Sequence, residues 1–356
     1  MGKDDQGNAL VEDLADMPHL VVAGMCNYGV HTFMNGLVLS LLMKKHPAEL
    51  KLLMIGDVRL ELLPWGQLER HYLAALPDAD NAVVLNKNQY VKTINSLCIE
   101  LDSRFDLLKA AKVRNIKGYN DIFCQRQLNP AEGHRYLPYI VVLLFESSGY
   151  IDKETLPAIC RLSQLWKTVG LHIVIATQQL GADVIISQIR SNIPSSVVFK
   201  VSRMAESNSI LGESGAQYLK KIGEALYKSK DGNKTHFIAA PISDDDIDSV
   251  VRYISNQRGY PDVYYLPDFL SNDDQRKEFD SKNKDEFFND AARLVVASQF
   301  GSTSLLQRKL QLGYNRAGHI IDQLETAGIL GPSNGSKPRD VLIHDEQSLE
   351  ELLKTI

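Results

Sequence analysis

Short apolar runs alternate with amphipathic stretches through the first two thirds of the chain. Between the apolar runs, hydrophobic residues recur at i, i+3 and i+4, which is the spacing of a helix with one buried face. The apolar runs span 20–23, 52–55, 139–145 and 172–178, and the amphipathic stretches span 31–46, 88–112 and 151–168. Continuous apolar strands that alternate with helices predict a mostly parallel sheet covered on both faces, and therefore an α/β fold.

Weaker patterns fill the rest of this region. They predict a helix over 181–191, strands at 196–201, 224–228 and 235–239, two short helices near 204–220, a short strand at 82–85 and a loop over 113–120. The polar residues 1–18 are consistent with an edge strand or a lead-in loop. The pattern therefore predicts one α/β domain over residues 1–267.

The character of the sequence changes after residue 261. Residues 268–286 are dense in charge and poor in apolar residues, which is typical of a linker. The pattern then predicts helices over 288–299, 305–312 and 315–328, two short strands within 329–343, and a polar helix over 344–355. Three helices and a hairpin are the plan of a winged helix-turn-helix, so we predict such a domain over 287–356.

Composition narrows the class of protein without naming a ligand. The 356 residues are 44% hydrophobic and 23% charged, as in ordinary globular proteins, and the net charge of −5 means that any DNA-binding surface must be local. The four cysteines form no C-x-x-C pair, which favours reduced thiols. The sequence has no signal-peptide pattern and no apolar run near the ~20 residues that cross a bilayer. We therefore expect a cytoplasmic segment, with a membrane anchor upstream of it left open.

A glycine-containing segment follows the first apolar run. Residues 24–31 read GMCNYGVH, with Gly24 and Gly29 at the spacing of the phosphate-binding loop G-x-x-x-x-G-K-[ST]. In that loop the backbone N–H groups cradle phosphates, the Lys reaches the β/γ-phosphates and the Ser/Thr hydroxyl binds Mg²⁺. Here Val30 stands at the Lys position and His31 at the Ser/Thr position. The loop layout is present, but its phosphate-binding side chains are replaced.

Distinctive motifs occur along nearly the whole chain: GKDDQGN, MPHLVVAG, RFDLLKAAKVRNIKGYN, LPYIVVLLFE, GLHIVIATQ, SNIPSSVVFKVS and QRKLQLGYNRAGHIIDQLETAGILGP. Together they resemble the motor and C-terminal γ domain of FtsK/SpoIIIE-type bacterial DNA translocases. The resemblance implies a RecA-like P-loop NTPase fold followed by a small winged helix-turn-helix domain. It further implies double-stranded DNA as a partner, a role in chromosome segregation and cell division, contact with a Xer-type recombinase, and a homo-hexamer or a mixed assembly with an active FtsK.

The same resemblance identifies departures at the nucleotide site. The family's GATGSGKS corresponds to GMCNYGVH, and its Asp-Glu pair corresponds to Phe145-Glu146, which removes the carboxylate that holds Mg²⁺. Glu146 keeps the position of the water-activating Glu, and Gln178 keeps the family's Gln. Three further positions at which the family has arginine are Gln179, Ser196 and Asn208.

These departures predict a degenerate nucleotide-binding site formed by Gly24, Gly29, Val30, His31 and Gln178. A lost charge-assisted hydrogen bond costs only roughly 1.5–3 kcal/mol, but phosphoryl transfer depends on the positioned charges acting as a set. We therefore expect a pseudo-ATPase that has no metal and no cofactor, in which Glu146 is a relic of the fold. The alternative is an active ATP-dependent translocase, with ATP and Mg²⁺, in which another residue substitutes for the Lys.

The winged-helix domain carries the second candidate site. Its candidate DNA-binding residues are Gln307, Arg308 and Lys309 on the second helix, Asn315, Arg316 and His319 on the third, and Lys337 and Arg339 on the wing. The first residues of a recognition helix reach base edges, where Arg pairs with guanine and Asn with adenine. Wing residues usually contact phosphates. We predict DNA binding here, and a recombinase-contacting module is the alternative; the family's usual Arg is replaced by His319.

Overall fold

The computed structural model divides into two compact units, Met1–Phe269 and Leu270–Ile356. It describes residues 1–17, 19–56, 59–77, 79–145, 155–178, 192–269, 285, 287–310, 312, 314–331, 339–343 and 345–355. Most of the predicted linker over 268–286 lies outside these residues, and so does the whole of the predicted helix over 181–191.

The first unit alternates strands and helices, as the sequence pattern predicts. Its strands are β1 (Gly2–Asp4), β2 (Ala9–Leu10), β3 (His19–Ala23), β4 (Leu50–Gly56), β5 (Ala74–Ala75), β6 (Tyr139–Phe145), β7 (Leu171–Thr177), β8 (Ser195–Phe199), β9 (Glu224–Lys228), β10 (Lys234–Ala239) and β11 (Tyr264–Tyr265). Its α-helices are α1 (Val30–Lys44), α2 (Arg59–Gly66), α3 (Lys87–Ala110), α4 (Ile116–Cys124), α5 (Leu156–Val169), α6 (Met204–Leu211) and α7 (Asp244–Ser255).

The main sheet has the strand order β2-β1-β10-β9-β8-β3-β7-β6-β4 within the described residues. Neighbouring strands from β8 to β4 are parallel, and those from β8 to β2 are antiparallel. This mostly parallel sheet confirms the predicted α/β fold. The polar residues at the start of the chain form the edge strands β1 and β2, one of the two structures that the sequence left open.

Each central strand is buried on both faces, which explains its continuous apolar sequence. On β3, Val21 and Ala23 belong to one core cluster, which includes buried residues of α3 and α5. The alternate residues Leu20 and Val22 belong to a second cluster with α1. The two layers of helices that a parallel sheet requires are therefore both present.

Two local predictions for this unit are wrong. The segment predicted as a loop over 113–120 contains the start of α4, because the Asn115 side chain caps that helix by accepting the N–H of Gly118 at 2.9 Å. The strand predicted at 82–85 is reduced to an isolated bridge between Val84 and Ile55.

The second unit contains α8 (Phe288–Ser298), α9 (Thr303–Leu310), α10 (Tyr314–Thr326) and α11 (Glu346–Thr355). Antiparallel bridges join Leu330 to Val341 and Gly301 to Arg339. A single core cluster packs α8, α9, α10 and α11 together. Three helices with a small antiparallel wing confirm the predicted winged helix-turn-helix, in which α10 is the helix predicted to be the recognition helix.

Candidate functional site

The loop over residues 24–29 joins β3 to α1 at the carboxyl end of the parallel strands. Two of its N–H groups are directed at neighbouring strand ends: Gly24 donates to the Thr177 carbonyl at 3.3 Å, and Met25 donates to the Lys200 carbonyl at 2.8 Å. At the other end of the loop, the Tyr28 carbonyl accepts the N–H of Gly223 at 3.0 Å. The loop is therefore bonded to the strands on both sides of it.

The buried ring of Phe199 lies directly against both glycines of the loop. A Cβ atom on Gly24 would stand 2.6 Å from the Phe199 Cβ, and one on Gly29 would stand 2.9 Å from its Cε1. Gly29 also has φ of +121°, which L side chains rarely adopt. Close packing and backbone conformation therefore account for both glycines without any bound phosphate.

Apolar side chains occupy the two positions at which the resemblance expects a phosphate-binding Lys and an Mg²⁺-binding Asp. Val30 is 2% exposed and Phe145 is 1% exposed. Both belong to the core cluster that contains Phe199 and Phe33, whose ring centroids lie 5.8 Å apart. Neither Val30 nor Phe145 carries an oxygen or nitrogen in its side chain for a metal or phosphate. The neighbouring Glu146 lies outside the described residues.

Two of the predicted polar residues meet beside the loop. The amide Nε2 of Gln178 contacts the Nε2 of His31, and both side chains are half-buried. Over the part of the chain that the structure describes, no group of three or more His, Cys, Asp or Glu is arranged to hold a metal ion.

Lys200 is a residue of this region that the sequence analysis missed. Its ammonium lies 5.9 Å from the centroid of the Tyr28 ring and donates to the Leu219 carbonyl at 2.6 Å. Lys200 directly follows β8, and β8 neighbours β3. Because the carboxyl ends of parallel strands meet at one edge of a sheet, its position after a buried strand was the available signal.

In the winged unit, one face of α10 is buried in the core and another face is exposed. Ala317, Ile320 and Ile321 are buried, whereas the Arg316 side chain is 43% exposed. On α9, Lys309 is exposed and Gln307 is half-buried. Four further candidates lie outside what the structure describes; they are the side chains of Arg308, Asn315 and His319, and the whole residue Lys337. Their DNA-binding roles stay predictions.

Arg316 is engaged by the segment that leads into α8. Its Nε donates to Asp285 Oδ2 at 2.8 Å and its Nη2 donates to Asp285 Oδ1 at 3.0 Å. Its guanidinium carbon lies 4.9 Å from the centroid of the Phe287 ring. Arg316, in the first turn of α10, is therefore joined to the residues that directly precede α8.

Arg339 has a different environment from the one expected of a phosphate-binding wing residue. Its side chain is 14% exposed, pairs with Glu325 and donates to the Ile321 carbonyl at 3.4 Å. Its backbone N–H donates to the Gly301 carbonyl at 2.8 Å. Arg339 therefore ties the wing to α10, and a contact with phosphate stays a prediction.

Together, the α/β fold with its loop at the end of β3 and the winged helix that follows it define a P-loop-type α/β domain followed by a winged-helix domain. The FtsK/SpoIIIE family model matches residues 1–182, and the FtsK gamma domain model matches residues 282–344. The chain belongs to the FtsK/SpoIIIE family.

Curated relatives of the chain are named DNA translocase FtsK. The chain is 36% identical to DNA translocase FtsK of Chlorobaculum tepidum, over 100% of this chain and 44% of that protein. It is 34% identical to DNA translocase FtsK of Staphylococcus aureus, over 96% of this chain and 42% of that protein. The chain thus spans less than half the length of these relatives.

Solved structures show the same fold. The cytoplasmic domain of the Thermomonospora curvata type VII secretion ATPase EccC superposes with a TM-score of 0.61 at 20% identity, over 75% of this chain and 32% of that one. Among the helices within the described residues, none combines the length and the apolar character needed to cross a bilayer.

Proposed function

We propose that this chain binds duplex DNA through its winged-helix unit and is a catalytically inactive paralogue of the DNA translocases it resembles. Its relatives named DNA translocase FtsK support a role on DNA. The proposal includes a cytoplasmic location and a part in chromosome segregation or cell division. It includes no cofactor, and it leaves open a homo-hexamer, a mixed assembly with an active FtsK, or contact with a Xer-type recombinase.

The observation that carries the proposal of inactivity is the burial of Val30 and Phe145 in one apolar cluster. Phosphoryl transfer depends on positioned positive charge and on a metal held by a carboxylate. A triphosphate that entered between Gly29 and Phe145 would meet hydrocarbon where family members place a Lys and an Asp. Burying its charge there without a partner would be strongly unfavourable.

The first experiment is titration of labelled ATP against the whole chain, with and without Mg²⁺, followed by a turnover assay with duplex DNA present. We expect no saturable binding, no hydrolysis and no rise in melting temperature, since a ligand that does not bind cannot shift stability. Val30→Lys alone should not restore turnover, because groups that act as one unit are strongly non-additive. Hydrolysis by the unmodified chain that is lost in Glu146→Gln would contradict the proposal.

Lys200 is the observation that most favours the alternative of an active translocase with an atypical site. It places a cation beside the loop, although its ammonium donates to the Leu219 carbonyl. If Lys200 substitutes for the missing Lys, Lys200→Ala should abolish ATP binding that the unmodified chain possesses. If the chain binds no ATP, this alternative fails at the first titration.

The DNA-binding half of the proposal is tested by measuring duplex binding at low salt. Arg316→Ala should weaken binding by ~1–3 kcal/mol and flatten sequence preference, because a bidentate Arg contact carries that much discrimination. If the chain binds no duplex even at about 50 mM salt, where phosphate contacts are least screened, the DNA proposal fails. Binding of a Xer-type recombinase by the same chain would then favour the interaction module.

A further inference from the structure

Asp285 pairs side-on with Arg316 of the recognition helix, through the edge of the guanidinium that carries Nε. An aromatic ring packs against the face of the same guanidinium. Asp285 contacts Nε and Nη2 of Arg316, at 2.8 and 3.0 Å, and the Phe287 ring packs against the guanidinium. The Asp285 side chain is 12% exposed, whereas that of Arg316 is 43% exposed. The carboxylate therefore belongs to the interior of the unit and the guanidinium to its surface.

The fold fixes Asp285 independently of Arg316. Its Oδ1 accepts the N–H of Phe287 at 2.9 Å, and its own N–H donates to the side chain of the buried Gln323 at 3.3 Å. Its carbonyl accepts the N–H of Phe288 at 2.8 Å. Three bonds, to Phe287, to α8 and to α10, hold the residue independently of Arg316, and one of them is accepted by the carboxylate toward which Arg316 is turned.

A guanidinium has five N–H donors, arranged along more than one edge. The side-on pair with Asp285 uses Nε–H and one hydrogen of Nη2. Guanine is recognised in the major groove by two N–H groups of one Arg, directed at its O6 and N7. The edge formed by Nη1 and the second hydrogen of Nη2 has that geometry, and it is the edge that Asp285 does not contact.

We propose that Asp285 is a positioning residue for guanine recognition by Arg316. The inference rests on the proposed DNA binding and adds a determinant of its specificity. The carboxylate and the Phe287 ring hold the guanidinium in one orientation, which favours a planar two-acceptor base over other contacts. The same negative charge disfavours a phosphate at this position. Asp285 therefore strengthens binding to a matched guanine and weakens binding to unmatched DNA.

The test compares Asp285→Asn with Asp290→Asn in the full chain. Asn keeps an oxygen for the Phe287 N–H but removes the charge that holds the guanidinium. Asp290 is an exposed acidic residue in the first turn of α8, so its substitution removes the same charge from the same unit. Each protein is incubated with a pool of duplexes that have a random core of about ten base pairs, and the duplexes that it binds are enriched. Affinities are then measured for the enriched duplex and for an unselected duplex.

We expect Asp285→Asn to lower the ratio of matched to unmatched affinity by roughly 5-fold or more, within the range of one bidentate base contact. Asp290→Asn should leave that ratio unchanged. Replacing the contacted guanine by 7-deazaguanine removes the N7 acceptor. This change should weaken DNA binding by the unmodified chain and have little effect on DNA binding by the Asp285→Asn variant. In an Arg316→Lys background, Asp285→Asn should change the ratio no further.

Equal gains in matched and unmatched affinity in Asp285→Asn would overturn the inference, because Asp285 would then only mask Arg316. If Asp285→Asn fails to fold, Asp285→Glu takes its place; it keeps the charge and should retain the preference for guanine over 7-deazaguanine. Loss of that preference in folded Asp285→Glu, with the melting temperature unchanged, would overturn the inference, because a carboxylate at this position would then not position the guanidinium. Absence of duplex binding by the unmodified chain is a separate result and overturns the proposed function.

Discussion

His19 illustrates how one buried side chain is fixed at both polar atoms. Its Nδ1 accepts the N–H of Ile173 at 3.2 Å, and its Nε2 donates to the Ser163 carbonyl at 3.1 Å. These two contacts define the neutral tautomer that carries its proton on Nε2. Burial, together with the nearby His172, lowers the pKa of His19 from 6.5 to about 3. The imidazole is therefore kept neutral at physiological pH by the core that surrounds it.

We expect the first unit to lose stability as the pH falls below about 6.5. Because the pKa of His19 is lower in the folded state, the unfolded state binds the additional proton. The free energy of unfolding should then fall by up to ~1.4 kcal/mol per pH unit from this group, until the folded pKa is reached. Both tryptophans, Trp65 and Trp166, lie in the first unit, so their fluorescence in urea unfolding between about pH 7 and pH 5 reports this loss.

His19→Gln is the control for this slope, because Gln offers one acceptor and one donor but does not titrate. Its unfolding free energy should vary less with pH than that of the unmodified chain. Equal slopes in the two proteins would assign the pH dependence to other groups, with His172 as the first to be tested.

At the scale of elements, the wing depends on a close approach at Gly301. A Cβ atom at this position would lie 2.5 Å from the Leu330 Cδ2 and 2.7 Å from the Arg339 carbonyl oxygen. The backbone pairing between Gly301 and Arg339 leaves no room for a side chain. By contrast, Gly318 lies within α10, and a Cβ atom there has no such neighbour within 4 Å.

Alanine at these two glycines should therefore act in opposite directions. Gly301→Ala should destabilise the wing by ~1–3 kcal/mol through overpacking, whereas Gly318→Ala should stabilise α10 by up to ~1 kcal/mol through helix propensity. Hydrogen exchange of the Arg339 and Leu342 amides, which donate to Gly301 and Ile329, measures the opening of the wing. Unchanged exchange in Gly301→Ala would show that the wing adapts.

The elements that sequence reasoning found are those whose own residues supply a strong pattern. The buried strand β6 was predicted with its observed bounds, and the long helix α3 was predicted to within two residues at each end. Short elements were missed because tertiary packing rather than local pattern stabilises them. Pro64 weakens the helical pattern of α2. The helix α7 was missed although its sequence carries a helix start signal, the Ser243 cap followed by three aspartates in the first turn.

Sequence reasoning could find the residues of the candidate site that belong to a motif, but not the contacts between residues distant in sequence. The substitutions Val30, His31 and Phe145 are visible once the loop over 24–31 and the end of the apolar run over 139–145 are aligned with the family, because they are defined by position in the chain. The pair between Asp285 and Arg316 and the approach of Lys200 to Tyr28 join residues distant in sequence. No periodicity encodes such contacts, so only the folded structure reveals them.

For the whole molecule, the net charge of −5 sets the conditions under which DNA binding is measurable. Phosphate contacts release counterions, so affinity should fall steeply as salt increases. Lys309→Ala removes one exposed cation of α9; it should weaken binding to all duplexes alike and reduce the slope of log K against log salt by about 0.9. Salt titrations of both proteins give the slopes.

Lys45→Ala is the matched control, because Lys45 is a lysine of the first unit that pairs with Glu49 at 3.4 Å. It should leave the salt slope unchanged. A slope that falls equally in both variants would mean that the overall charge, and not the winged unit, governs the salt dependence.

The pairing of β1 with β10 has a consequence for how the protein is made. Gly2 lies opposite Ala239, so β1 leaves the ribosome more than two hundred residues before the strand with which it pairs. At about 5–20 residues per second, that delay is on the order of 10–50 s. During that interval the nascent β1 and β2 have no sheet to join. This edge of the sheet is therefore closed late, when β10 becomes available to pair with β1.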